Sequence, residues 1–282
     1  MIAITGATGQ LGQLAIASLL KRVPAQEIIA IARNPGKAKN LAALGVQVRQ
    51  ADYTQPVQWE AALAGVEKLL LISANDIGQR TAQHATVIKA AKRASVKLLV
   101  YTSILHAETS AIALAGEHRE TEAAIRASGM PFVILRNGWY TENHTAGLKA
   151  ALSMGAVYGC AGDGRFSTAS REDFAEAAAA VLTSNGHAGQ MYELAGDTAY
   201  TLAQYASEVS RQTGKAIGYV NLPEADFKKA LLGAGLPEPF AELLANADTA
   251  ASKGALFDDG HQLSKLIGRP TTPLAASLKA AL

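Results

Sequence analysis

Three glycines stand at every third position near the N-terminus of this 282-residue chain, in Gly6-Ala7-Thr8-Gly9-Gln10-Leu11-Gly12, directly after an apolar run. The chemistry that such a segment suits is the cradling of phosphate. Glycine lets a chain turn tightly, lets backbone approach a pyrophosphate with no side chain between them, and lets a helix start close against a strand. A helix beginning near Gln10 would aim its free amides and the positive end of its dipole at the anion. The G-x-x-G-x-x-G spacing differs by one residue from the usual dinucleotide fingerprint, and a plain tight turn is the alternative.

A second group of residues says which dinucleotide. Chains that bind NAD commonly carry an acidic residue about 20 positions after the glycines, where it accepts hydrogen bonds from the ribose 2′-hydroxyl. Here that place holds Arg33-Asn34-Pro35, with Lys37 and Lys39 close behind, while Glu27 precedes the strand and Asp52 ends the next one. A guanidinium makes paired, charge-assisted hydrogen bonds to a 2′-phosphate. The expected cofactor is therefore NADP(H); a solvated surface arginine is the competing explanation of Arg33.

These residues need a scaffold, and the apolar pattern supplies one. Short runs at 2–5, 28–32, 46–50, 68–72, 98–102, 132–136 and 191–194 are apolar almost throughout instead of alternating, as in strands covered on both faces. Between them lie segments of helical length, such as the one whose Leu11, Leu14, Ala15 and Leu19 share a face. The pattern predicts an α/β fold, a Rossmann-type doubly wound parallel sheet. Past about residue 195 the alternation fades into helical stretches at 202–213 and 224–233, a candidate strand at 219–222, and short helical pieces punctuated by Pro237, Pro239, Pro270 and Pro273. The division expected is an NADP-binding domain over 1–140, completed by about 166–197, and a smaller, mostly helical substrate lobe from 141–165 and 198–282.

Composition removes several other classes of function. With 26 basic and 24 acidic residues the formal charge is only +2, spread without the basic stripe that nucleic acid requires. No apolar run approaches the roughly 20 residues needed to cross a bilayer, and Met1 is followed at once by Ile2-Ala3-Ile4-Thr5 with no basic leader. The single cysteine, Cys160, has no intramolecular disulfide partner and belongs to no zinc-type cluster. A cytoplasmic protein is expected, with a homo-oligomer left open. Hydrolase, zinc-protease and Walker motifs are missing, and the histidines show no metal-ligand spacing, so no metal site is proposed.

The glycine segment, together with Leu135-Arg136-Asn137-Gly138-Trp139-Tyr140-Thr141-Glu142-Asn143, resembles the short-chain dehydrogenase/reductase superfamily in its atypical NmrA-like branch. Within that branch it is most similar to the bacterial quinone reductases that use NADPH. The resemblance covers nearly the whole chain. It implies that Gly6, Ala7, Thr8, Gly9, Gln10, Leu11, Arg33, Ser73, Ala74, Asn75, Asn137, Gly138, Trp139, Tyr140, Thr141 and Glu142 line the cofactor, and that Arg171 reaches it. Arg171 has an alternative in pairing with Glu172 or Asp173. Tyr140, Asn143 and Phe257 are candidates for contact with a flat substrate; for Trp139 and Tyr140 packing between the lobes is the other choice.

Ordinary members of the superfamily use a Tyr-x-x-x-Lys pair to donate a proton to a carbonyl oxygen. None of the eight tyrosines has lysine four positions on. The helix after the fifth strand carries Glu117-His118-Arg119-Glu120-Thr121-Glu122 instead. Ser103 and His118 are the remaining candidates for a proton or hydrogen-bond donor, although a surface histidine paired with Glu122 explains His118 as well. Either the chain binds NADP(H) without chemistry, as a sensor, or its substrate needs no positioned acid. Quinone reduction by direct hydride transfer, without flavin, fits the second case, because the anion formed is delocalised and water can protonate it. Another electrophilic ring or an enone is a further alternative.

Overall fold

Every second residue of the central strands faces a different core, and that division explains why their sequences are apolar on both sides. In the computed structural model, which describes residues 1–282, Ile2 and Ile4, Ile28 and Ala30, Leu98 and Val100, and Val133 and Leu135 share one hydrophobic core. Their neighbours Ala3, Ile29, Leu99, Tyr101 and Ile134 belong to another. The strands are β1 (Ile2–Ile4), β2 (Ile28–Ala32), β3 (Gln47–Gln50), β4 (Lys68–Leu71), β5 (Leu98–Ile104) and β6 (Phe132–Asn137). With β8 (Met191–Leu194) they form a seven-stranded parallel sheet in the order β3-β2-β1-β4-β5-β6-β8. The two edge strands, β3 and β8, are the exceptions to full burial, as edge strands allow.

Helices α1 (Gln10–Leu20) and α8 (Arg171–Thr183) pack together on one face. A short α2 (Lys39–Ala43) follows β2, and α3 (Gln58–Ala62), α4 (Arg80–Arg93) and α5 (Ala115–Ser128) cover the other face. The alanine run of α8, buried from Ala177 through Ala180, lets the helix approach α1 closely. Between β1 and β4 the order of connection reverses, which opens a crevice at the carboxyl ends of the strands where open parallel sheets bind ligands.

The remaining chain forms α6 (Thr141–Thr145), α7 (Leu148–Met154), α9 (Leu202–Thr213), α10 (Glu224–Gly233), α11 (Glu238–Ala251), α12 (Gln262–Ile267) and α13 (Leu274–Ala281). A third core joins parts of this region to the end of β5. Three features differ from the sequence-based expectation. A strand β7 (Ala156–Gly159) pairs in parallel with β9 (Gly218–Asn221) as a separate small sheet. The proline-punctuated stretch contains the 14-residue α11: Pro237 and Pro239 stand at its first turn, where a missing N–H costs nothing, so they start the helix instead of breaking it. Finally, α12 packs on α8 and β8, with Leu263 in the sheet-side core, so 198–282 does not lie wholly within the lobe.

Candidate active site

The glycine segment folds as a turn into a helix under two constraints, a left-handed backbone at Gly6 and no room for a side chain at Gly12. Gly6 has φ +58°, and its carbonyl accepts the Gly9 amide at 2.9 Å. A Cβ on Gly12 would stand 2.3 Å from the Gly6 carbonyl oxygen and 2.8 Å from Ala7 Cα, so the third glycine is dictated by the close approach of α1 to its own loop. Thr5 anchors the turn from behind: its amide donates to the Leu70 carbonyl at 3.0 Å, and its hydroxyl accepts the Ile72 amide at 3.0 Å. Gly9, the N-cap of α1, brings no capping side chain, and the first turn contains no acidic residue. The uncapped amides at the positive end of the helix therefore suit a phosphate group.

Arg33 follows β2 directly; it is exposed and forms no ion pair. The Asn34 side chain accepts the Gly36 amide at 2.9 Å, shaping a 3-10 turn that presents Lys37, with Lys39 opening α2. The nearest acid on the neighbouring strand end, Asp52, is engaged by Thr54, whose amide and hydroxyl hold its carboxyl below the ordinary range, with a smaller contribution from Arg33. This leaves a cationic corner fitted to a 2′-phosphate.

After β4, the amides of Ser73 and Ala74 are already spoken for. Ser73 N–H donates to Thr102 Oγ1 at 2.9 Å and Ala74 N–H to His84 Nε2 at 2.9 Å, while Arg80 Nε donates to the Ala74 carbonyl at 2.7 Å. The groups this segment can still offer a ligand are the Ser73 and Asn75 side chains, the Ser73 carbonyl and the Asn75 amide. Accepting through Nε2 fixes His84 with its proton on Nδ1, donated to Thr121 Oγ1 at 2.9 Å. Burial, with Arg80 nearby, lowers its pKa to about 3.

After β6, the Gly138 amide donates to the Leu194 carbonyl at 2.7 Å and the Thr141 amide to Ala169 at 2.9 Å, so that 137–142 runs beside the start of α8. Asn137 Oδ1 is buried there without a partner, an acceptor available to a bound group. Trp139 and Tyr140 part company: Trp139 packs with the lobe core, whereas Tyr140 sits edge-on to Phe174, 5.3 Å between ring centroids. The Arg171 guanidinium lies 4.5 Å over the Tyr140 ring and donates to Asn143 Oδ1 at 3.0 Å. The Arg171 amide donates to Glu142 Oε1 at 2.9 Å. Its partners are thus Glu142 and Asn143, not Glu172 or Asp173; the latter closes a capping box with Ser170 at the start of α8.

Some of these groups meet in one cleft, whereas Arg33, Ser73, Asn75 and Asn137 are not part of its lining. A space of about 760 Å³ is lined by Gln10, Gln13 and Leu14 of α1, by Glu142, Asn143, Thr145 and Ala146, by Arg171, and by Phe240 of α11. Of the residues singled out from sequence, Gln10, Glu142, Asn143 and Arg171 are brought together here. Gln13 was legible in principle, one turn along α1 from Gln10; Phe240 had no signal, since nothing in its own segment marks it.

The candidates for proton donation lie elsewhere. His118 is buried, not a surface residue, and does not pair with Glu122: its Nδ1 bonds the Tyr101 hydroxyl at 2.7 Å. Burial drives its pKa well below the ordinary value, with smaller effects from Arg80 and His84. Ser103, also buried, donates its hydroxyl to Glu122 Oε1 at 2.6 Å. Arg136 holds the same carboxylate and also donates to Glu193 at 2.8 Å and Glu108 at 3.0 Å. Burial pushes the Glu122 carboxyl up, but hydrogen bonds from Arg136 and Ser103 outweigh it and the net shift is downward. Phe257 is outside the cleft lining; its ring lies under Arg165, 4.1 Å from the guanidinium carbon, and its carbonyl accepts from His106 Nε2 at 3.0 Å. Nowhere do three His, Cys, Asp or Glu side chains converge to hold a metal, and no helix is long and apolar enough to cross a membrane.

Known proteins resemble this chain over nearly its whole length. A family model described as NAD(P)H-binding matches residues 6–185. Quinone oxidoreductase 2 of Escherichia coli (strain K12) is 57% identical over 278 residues, covering 99% of this chain and 97% of that one. The crystal structure of the NADPH-dependent quinone oxidoreductase QOR2 from Escherichia coli, complexed with NADPH, superposes with a TM-score of 0.98 at 56% identity over 99% of both chains. The Citrobacter sp. triphenylmethane reductase complexed with NADP(H) gives a TM-score of 0.97 at 44% identity over the whole of both chains.

Proposed function

The chain belongs to the NAD(P)H-binding family, and from that premise we infer that it is an NADPH-dependent quinone oxidoreductase, in line with its 57% identical relative. In this reading the turn from Gly6 to Leu11 and the first amides of α1 hold the pyrophosphate. Arg33 takes the 2′-phosphate, and Ser73, Asn75, Asn137 and the segment through Glu142 line the remainder, with Arg171 released from Asn143 toward the phosphates. A cytoplasmic location belongs to the same reading, supported by the lone Cys160.

The observation that carries the quinone assignment is a phosphate cradle beside a β5 terminus with no free acid. Ser103 is committed to Glu122 and His118 to Tyr101. Bound NADPH supplies a hydride, and the quinone takes up that hydride with one proton from water, leaving NADP⁺ and the hydroquinone. An isolated ketone would place its developing charge on one oxygen and need a donor in the transition state; a quinone spreads that charge through its ring. The chain then acts by binding the cofactor and the quinone so that their rings are held in contact, which is an effect of proximity and orientation.

The test is to follow NADPH oxidation with quinones, aldehydes and simple ketones, without added flavin. Turnover confined to quinones and comparable conjugated acceptors is expected. Tight NADPH binding with no turnover on any acceptor would instead mark a sensor, and equal turnover on simple ketones would defeat the argument from the missing acid.

A further inference from the structure

Among the residues that line the cleft, the one supplied by the helical hairpin of α10 and α11 is an aromatic ring. Phe240 is 58% exposed, more than any other aromatic residue of the chain, yet it is not loosely held. It stands in the first turn of α11, whose start is fixed by Pro237 and Pro239. Lys228 of α10 reaches Glu238 at 3.4 Å and Glu242 at 3.1 Å, bracketing Phe240 two residues to either side and tying the two helices together. It shares the cleft with Gln10 and Gln13 of α1, with Arg171 and Asn143, and with the apolar Leu14 and Ala146. An exposed aromatic ring in a mostly polar cleft beside the start of α1 meets water unless something occupies the space.

We propose that Phe240 is a cofactor-retaining residue, a cover supplied by the lobe over the phosphate and ribose portion of bound NADP(H). This rests on the cofactor placement given above, and adds to it a residue from outside the sheet domain. The ring does no chemistry. By displacing water from the cleft it strengthens the amide–phosphate and guanidinium–phosphate contacts, which are weakened by high dielectric, and it obstructs the path of release.

Fluorescence titration of NADPH, with stopped-flow measurement of its dissociation, tests this on the full chain, the Phe240→Ala variant and the Phe240→Leu variant. Because the side chain is mostly exposed, both variants should fold, which thermal melting checks. Phe240→Ala should weaken NADPH binding by about tenfold, chiefly through faster dissociation, as removal of one buried ring implies, and Phe240→Leu should fall between. Unchanged affinity and dissociation in Phe240→Ala would overturn the proposal, whether or not the KM for quinone moves. No quinone enters the measurement, so a failure of quinone turnover leaves this result standing; a parent chain that bound no NADPH would instead remove the placement on which the proposal rests.

Discussion

Arg136 of β6 grips Glu122 of α5 through two hydrogen bonds, Nε to Oε1 at 3.0 Å and Nη2 to Oε2 at 2.8 Å, with both side chains buried. The fork of the guanidinium matches the two carboxylate oxygens, and Ser103 and Arg126 satisfy the same acid from other sides. Where a reductase of simple carbonyls would keep a proton donor ready, this chain has a closed ionic knot. Glu122→Ala would leave Arg136 with fewer counter-charges in the interior, and a loss of about 3 kcal/mol is expected. Urea unfolding measures it, and NADPH affinity of the folded fraction should change little.

A second prediction concerns the loop. Gly12→Ala forces a methyl group against the Gly6 carbonyl oxygen at 2.3 Å, and backbone cannot yield as a flexible side chain does. The strain should cost about 1–3 kcal/mol in thermal or urea unfolding. NADPH affinity should fall by tenfold or more, read by fluorescence titration, because the amides of α1 no longer converge.

Under the proposed placement, cofactor choice rests on Arg33. Its exposed guanidinium is free of any ion pair and would meet a charge that NADPH has and NADH lacks. Arg33→Ala should raise the NADPH dissociation constant by roughly ten- to a hundredfold, the range of one charge-assisted pair, and change that for NADH by less than about twofold. Equal effects on both cofactors would remove the 2′-phosphate assignment.

The buried histidines set the response to acid. His84 is held neutral, its pKa brought down to about 3 by burial and Arg80, and burial takes His144 to about 4. A depressed histidine pKa means that the unfolded chain binds the proton first, so this stability is present above pH 6.5 and lost as pH falls toward the folded values. His84 alone should cost about 2 kcal/mol by pH 5. Unfolding free energy measured from pH 7.5 to 5 should decline with decreasing pH, and His84→Gln should flatten that slope.

The sheet was readable because strands such as Ile28–Ala32 are covered on both faces and so carry uninterrupted apolar sequence. Arg33 and the glycine segment were readable because strand, turn and helix succeed one another locally. What depends on distant partners was not. The strand Gly218–Asn221 was legible as a candidate at 219–222, but its partner Ala156–Gly159, four residues long and paired only with it, has no pattern of its own. His118 looked like a surface residue because its helix is rich in charge; its true environment comes from Tyr101 on a strand and His84 on another helix. Glu122 is two residues from its charged neighbour Glu120 in sequence, but its real partners lie on β5, β6 and α5. Phe240 enters the cleft only because a helical hairpin of the lobe brings it there.

In the proposed reaction, hydride reaches the quinone with no side chain donating a proton. This is tested most directly by single-turnover oxidation of prebound NADPH by a quinone in the parent chain, Ser103→Ala and His118→Gln, each verified to be folded and to bind NADPH. Rates within about twofold of one another are predicted. A loss of a hundredfold or more in either variant, the scale of general acid catalysis, would contradict the account.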